Sequence, residues 1–230
     1  MAADEPSGAN AESPFLPEHF RRFDESADSN FYAIPRLVTH IDDAAIAAAQ
    51  AFYARMLPHG VRVLDLMSSW VSHLPADGRY TEVAGLGMNA EELAANPLLG
   101  RRVVHDLNAN PHLPFDDGEF GGCVVTVSVQ YLTQPVEVFA EVGRVLAPGA
   151  PFIVTFSNRC FPNKAVAVWQ MLDDRGHADL VNAYFAYSGS FEQAMAYDLS
   201  PAPGRSDPLY AVMARRKGGP AATGPSAPGA

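Results

Sequence analysis

The chain has 230 residues, 48% hydrophobic and 18% charged, with a formal net charge of −10. That is enough apolar material for one substantial core, and the acidic balance argues against nucleic acid or an anionic membrane surface as a partner. No apolar run reaches the length of a membrane span, and residues 1–13 lack the basic and apolar regions of a secretory signal.

Residues 1–14 are rich in Ala, Glu, Pro, Ser and Gly, and they are expected to form a disordered tail because they offer little apolar surface to offset ordering entropy. Residues 15–59 are expected to form an N-terminal helical cap, with an Ala-rich helix over 42–56 that Gly60 terminates. Short β-rich runs predict strands at 61–66, 80–86, 102–105, 121–127 and 150–157, and near 191–198 and 208–215. Helices are expected at 89–96, 134–146 and across about 164–187, with Pro148-Gly149 turning the chain into the most apolar strand. Alternating strands and helices imply a parallel sheet with right-handed crossovers, covered on both faces. Residues 201–207 leave no room for a helix, so the last two strands should pair as an antiparallel hairpin. The expected domain is 60–216, followed by a second disordered tail at 217–230.

Cys123 and Cys160 fall on or beside central strands, which fits a reducing, cytoplasmic setting without a disulfide framework. No Cys/His cluster has zinc-like spacing, and no metal is expected.

The run Arg62-Val63-Leu64-Asp65-Leu66 ends where open α/β sheets place their ligands. Met67-Ser68-Ser69-Trp70 follows, and Ser68 or Ser69 is expected to cap a short helix beginning near Trp70. Its N–H groups would then face a ligand carboxylate; the alternative is a serine-capped turn with no ligand.

Three later segments occur in fixed order: Asp106-Leu107-Asn108, then Leu113-Pro114-Phe115-Asp116-Asp117-Gly118-Glu119-Phe120, then Glu141-Val142-Gly143-Arg144-Val145-Leu146-Ala147-Pro148-Gly149. Over roughly 60–215 the chain resembles class I S-adenosylmethionine-dependent methyltransferases, particularly the type 11 small-molecule group. The resemblance implies a Rossmann-like fold: seven strands in a mostly parallel sheet, helices on both faces and a C-terminal antiparallel hairpin. It further implies S-adenosyl-L-methionine as cofactor and methyl transfer by direct displacement to a small-molecule acceptor.

The resemblance also assigns positions. Asp65 keeps the family's acidic start, whereas Met67, Ser69 and Val71 stand at its glycines, giving an atypical, glycine-poor first motif. Gly87 stands where the family carries its ribose-binding acid; Met88 would pack on adenine, and Asn89 would accept a hydroxyl or cap the next helix. Asp106 would accept the adenine amino group beside the Leu107 N–H, or else cap a turn. Val127 and Ser128 would line the cofactor, while Gln130 and Tyr131 would hydrogen-bond the cofactor or orient the acceptor; the alternative is that Tyr131 and Leu132 only pack the next helix. Asn158 and Arg159 follow the fifth strand, and Arg159 would pair with an anionic acceptor or remain an exposed loop arginine. Tyr32, Arg36 and His40 are expected on a lid over the site.

His73, His105, His112 and His177 fall near element ends, where one could act as a general base, but no catalytic residue is assigned. The rival reading is a cofactor-binding or regulatory protein that kept the fold without methyl transfer. A second alternative uses the same cofactor for different chemistry. A dehydrogenase is disfavoured because both the glycine fingerprint and its downstream acid are missing. The oligomeric state stays open.

Overall fold

Short apolar β-rich runs and the helical segments between them settle into one sheet, seen in a computed structural model that describes residues 14–218. The tail expectations for 1–13 and 219–230 lie outside the described residues. The strands are β1 (Arg62–Leu66), β2 (Glu82–Gly87), β3 (Arg101–Val104), β4 (Gly122–Thr126), β5 (Pro151–Phe156), β6 (Met195–Asp198) and β7 (Tyr210–Arg215). Their spatial order is β3-β2-β1-β4-β5-β7-β6, a seven-stranded sheet. β1 pairs in parallel with both β2 and β4, and β7 runs antiparallel to β5 and β6. The expected mostly parallel sheet with a terminal antiparallel pair is present. Strand order reverses between β1 and β4, which opens a crevice at their carboxyl ends.

Alternation along each strand divides the core. Leu64, Leu66, Phe152, Val154 and Phe156 face one layer, made with α4 (Pro135–Val145), α5 (Ala167–Gln170) and α6 (Asp174–Tyr187). Val63, Val124 and Ile153 face the other, against α2 (Asp43–Met56) and α3 (Ala90–Ala95). The helical region expected across 164–187 breaks after α5, because the Asp173 carboxylate caps α6 by accepting the Gly176 N–H at 2.8 Å.

The region expected as a helical cap divides. Residues 14–42 hold only a 3-10 turn (Pro17–Phe20) and the single turn α1 (Asp28–Phe31). α2, capped by Asp42, packs on a sheet face instead of over the crevice. It docks through Tyr53, whose buried hydroxyl lies 2.7 Å from both Thr126 Oγ1 and Thr155 Oγ1. This bond set ties α2 to β4 and β5 directly below the crevice. Tyr53→Phe should lower stability by about 1 kcal/mol, because it removes the buried hydroxyl's bonds to both threonines, leaving Thr155 only its longer bond to the Val125 carbonyl. Urea unfolding checks this, and an unchanged midpoint would refute the tie.

Candidate functional site

The crevice is bounded first by the segment after β1. Asp65 is almost fully buried, and its Oδ2 accepts hydrogen bonds from Ser68 Oγ at 2.6 Å and Ser72 Oγ at 2.5 Å. Met67 turns the chain in the left-handed region, φ 58°. The Ser68 N–H then donates to the Leu86 carbonyl at 2.8 Å. Residues 67–81 contain no helix, which corrects the expectation of one near Trp70. The reason is chemical: Ser68 spends its hydroxyl on Asp65, and Ser69 Oγ donates to Glu92 at 2.6 Å, so neither caps a helix.

The same segment explains Gly87. A Cβ there would stand 2.1 Å from the Ser68 carbonyl oxygen, so only glycine lets the loop lie against β2. The position of the missing ribose acid is therefore a packing contact. The nearby acid is Glu92, a residue that sequence reasoning passed over. Asn89-x-x-Glu92 reads as a capping box, in which the glutamate folds back on its own helix. Instead, Asn89 Oδ1 alone accepts the N–H groups of Glu91 and Glu92, and Glu92 reaches outward. Its Oε1 accepts the Arg36 N–H at 2.7 Å and its Oε2 takes Ser69.

Three bonds hold the expected lid segment. Besides Glu92 on Arg36, Asn89 Nδ2 donates to the Tyr32 carbonyl at 2.8 Å and Trp70 Nε1 donates to the Val38 carbonyl at 3.0 Å. Farther up the chain, Asp28 anchors the strap. It accepts both Arg22 Nη1 contacts, at 2.8 and 2.9 Å, and Asn108 Nδ2 at 2.7 Å, and it pairs with fully buried Lys164 at 3.2 Å. Sequence reasoning missed Asp28 and Lys164 because a lone acid and a loop lysine carry no local pattern.

At the far wall, Asp106 Oδ1 accepts the Asn108 and Ala109 N–H groups at 2.9 and 3.2 Å, so the turn-capping alternative is present. Its Oδ2 has no partner among the described residues, and Asp106 lines the same cavity as Leu107. Val127 follows β4 with φ 52°, a strained conformation for a β-branched residue. Its N–H donates to Thr155 O at 2.8 Å, and its carbonyl accepts Gln130 Nε2 at 3.0 Å.

One cavity gathers most of the residues singled out from sequence. Asp65, Met67, Ser68, Ser69 and Trp70 line it with Gly87 and Met88 from β2, Asp106 and Leu107 after β3, and Val127, Ser128 and Tyr131 after β4. Tyr32, Arg36 and His40, the residues expected on a lid, line it as well. Phe161, Glu92, Asn108 and His73 join them. Asn89 and Gln130 stand outside the lining, behind the wall they brace. Asn158 and Arg159 lie elsewhere, in a surface groove where Arg159 Nε pairs with Asp207 Oδ1 at 2.8 Å. Arg159 is thus the exposed, paired loop arginine of the plainer alternative.

The cavity is electrostatically mixed. Burial pushes Asp65 up to about 6, against the lowering effect of its two serine bonds. Burial pushes His73 down to about 4, helped by His40, and it lowers His40 as well. Both imidazoles are therefore neutral near pH 7. His105 also lines the cavity, its Nε2 2.8 Å from the Asn110 carbonyl, while His112 and His177 lie outside it, beside Glu141 and stacked on Trp169. Cys123 is sealed in the sheet with its thiol pushed well up by burial. Among the described residues no cluster of His, Cys, Asp and Glu could hold a metal, and no helix is long and apolar enough to cross a membrane.

Comparison with known proteins places this arrangement. Residues 68–154 match the model of a family described as a methyltransferase domain. The biotin biosynthesis bifunctional protein BioHC of Teredinibacter turnerae is 29% identical over 82 residues, which span 36% of this chain and only 14% of that protein. The [4+2]-cyclase SpnF shares the fold, with a TM-score of 0.56 at 16% identity over 82% of this chain and 91% of its own. A Thermotoga maritima S-adenosylmethionine-dependent methyltransferase, described as a possible histamine N-methyltransferase, gives 0.55 at 13% identity, over 75% and 90%. Residues 68–154 are thus similar to a methyltransferase domain, and the chain shares its fold with these solved structures.

Two expectations follow from the first loop. Restoring the family acid by Gly87→Asp should lower the melting temperature by about 5 °C through the clash with Ser68, and it should weaken nucleoside binding. A tighter-binding, equally stable variant would contradict this. Asp65, with a native pKa above its ordinary value of 3.8, binds more protons folded than unfolded between about pH 4 and 6. Its stabilising contribution is therefore complete below that window and lost as pH rises through it, by about 2–3 kcal/mol. His73 pulls the other way over the same range, so the readout is wild type minus Asp65→Asn in urea melts. A flat difference from pH 4 to 7 would sink the assignment.

Proposed function

We propose that this chain is a class I S-adenosylmethionine-dependent methyltransferase that transfers a methyl group to a small-molecule acceptor by direct displacement. The observation that carries the reading is the single cavity at the β1/β4 switch point, where Asp106, the first loop and the lid residues meet.

The residues fit the cofactor in kind. The free Asp106 Oδ2 and the adjacent Leu107 backbone suit an adenine edge, and Met88 offers an apolar, polarisable surface for the ring. Glu92 takes over as the acid facing the ribose side, since each of its oxygens accepts one bond and retains a lone pair. The departure is at the first loop, where hydroxyls and a buried carboxylate replace a glycine turn and helix N-terminus.

When bound, S-adenosylmethionine supplies an already activated sulfonium methyl group, so the protein's own work is positioning and exclusion of water. Val127, held by Gln130 and Thr155, fixes the floor between donor and acceptor sides. The segment carrying Tyr32, Arg36 and His40, pinned by Asn89, Glu92 and Trp70, covers the opening and keeps it dry. His73 and His40, neutral near pH 7, can accept a proton from an acceptor that needs deprotonation. An acceptor that is already nucleophilic needs neither. The setting is proposed to be cytoplasmic, with small molecules as partners.

The glycine-free loop favours one rival: a protein that binds the cofactor without transferring its methyl group. Calorimetric titration should show S-adenosylmethionine and S-adenosylhomocysteine binding at or below about 0.1 mM, and Asp106→Ala should cost about tenfold in affinity. No binding of either nucleoside at millimolar concentration would overturn the reading. Binding without labelled-methyl transfer to a metabolite extract would favour the rival.

A further inference from the structure

Among the described residues Arg36 is the one arginine or lysine that lines the cavity, and no carboxylate pairs with its side chain. Outside the lining, Arg22 pairs with Asp28 and Lys164 with Asp28 and Asp24, and burial keeps His40 and His73 toward their neutral forms. No side-chain nitrogen of Arg36 makes a hydrogen bond or ion pair among the described residues, and its Nη1 is buried without a partner. Glu92 does not answer it, because that carboxylate takes the Arg36 backbone N–H and the Ser69 hydroxyl. The guanidinium instead sits over two aromatic rings, with Cζ 4.2 Å from the Phe31 centroid and 5.7 Å from that of Phe161. Stacking on ring faces orients the planar group and leaves its in-plane N–H fork for a ligand.

From this geometry we propose that Arg36 binds a carboxylate in the cavity, an inference that rests on the cofactor-pocket reading above. One cation matches one negative charge, and the planar fork matches a planar carboxylate in two parallel bonds. A phosphate is less suited, since among the described residues no second arginine or lysine lines the cavity and Asp106 and Glu92 stand on its walls. The carboxylate belongs either to the methionyl end of the cofactor or to the acceptor. The first source would compensate for the missing helix N-terminus after β1. The second fits the placement of Phe161 beyond β5, on the far side of the crevice from β2.

Binding measurements on the full chain separate these sources without knowledge of the acceptor. Wild type, Arg36→Gln and Arg36→Lys are titrated with S-adenosylhomocysteine and with 5′-methylthioadenosine, which lacks the methionyl carboxylate. They are also titrated with benzoate and benzamide, with and without S-adenosylhomocysteine. A loss of about tenfold or more for S-adenosylhomocysteine in Arg36→Gln, with 5′-methylthioadenosine unchanged, supports the proposal and assigns the cofactor's carboxylate. A wild-type preference for benzoate over benzamide that Arg36→Gln abolishes also supports it and assigns the acceptor's. In either case Arg36→Lys, which keeps the charge but not the fork, should fall between. If Arg36→Gln alters neither comparison, the proposal is overturned. If wild type binds neither nucleoside, the cofactor reading fails, and the benzoate–benzamide pair on the free protein still decides Arg36.

Discussion

A buried carboxylate at the end of β1 shapes everything above the sheet. Asp65 is held by two serine hydroxyls from the segment that follows it, and those bonds replace the turn that glycines would otherwise make. Once Ser68 is drawn onto Asp65, its carbonyl rests on Gly87 and its N–H reaches Leu86. That contact closes β2 to any side chain at position 87 and leaves Glu92, one turn into α3, as the acid facing the crevice. Glu92 then holds Ser69 of the loop and the backbone of Arg36 of the lid. One desolvated charge is thereby linked to the shape of both walls.

The cost of burying that carboxylate explains its high pKa, and it is met only in part by the serine bonds. Comparable strain appears across the crevice, where Val127 adopts a conformation that β-branched residues avoid. Both outliers stand at the strand ends flanking the switch point. Gln130 braces one, Ser72 the other, and neither brace faces the cavity. Rigid strands thus fix the floor, while the segment from Tyr32 to Val38 rests on single hydrogen bonds from Asn89, Glu92 and Trp70. In the function proposed above, the stiff part positions ligands and the lightly held part admits them.

The strands and helices were legible because they obey period 2 and period 3.6 around one core. Phe152, Val154 and Phe156 against Ile153 is such a pattern, and Pro148-Gly149 marks its start. The ordered segments around Asp106, Leu113 and Glu141 carried the family. The first loop was misread because serine after a strand ordinarily signals a cap, and nothing local announces that Asp65 will claim its hydroxyl. Glu92 was hidden by a capping-box spacing that Asn89 satisfies alone. Arg159 looked like an anion site from its position after β5, but Asp207, 48 residues away in sequence, neutralises it. Long-range side-chain pairing of this kind leaves no periodic trace. Arg36 carries the reverse lesson: its neighbours Phe31 and Phe161 support the ring contact but supply no counter-charge.

In the proposed function this glycine-free loop, with its two serine bonds to Asp65, is itself the cofactor-binding loop. The most direct measurement is a crystal structure of the chain with S-adenosylhomocysteine bound. The nucleoside is expected in the β1/β4 crevice with its adenine at Asp106, residues 67–75 without a helix, and both serine bonds to Asp65 intact. A nucleoside seated elsewhere, or a first loop rewound into a helix with Asp65 released, would contradict it.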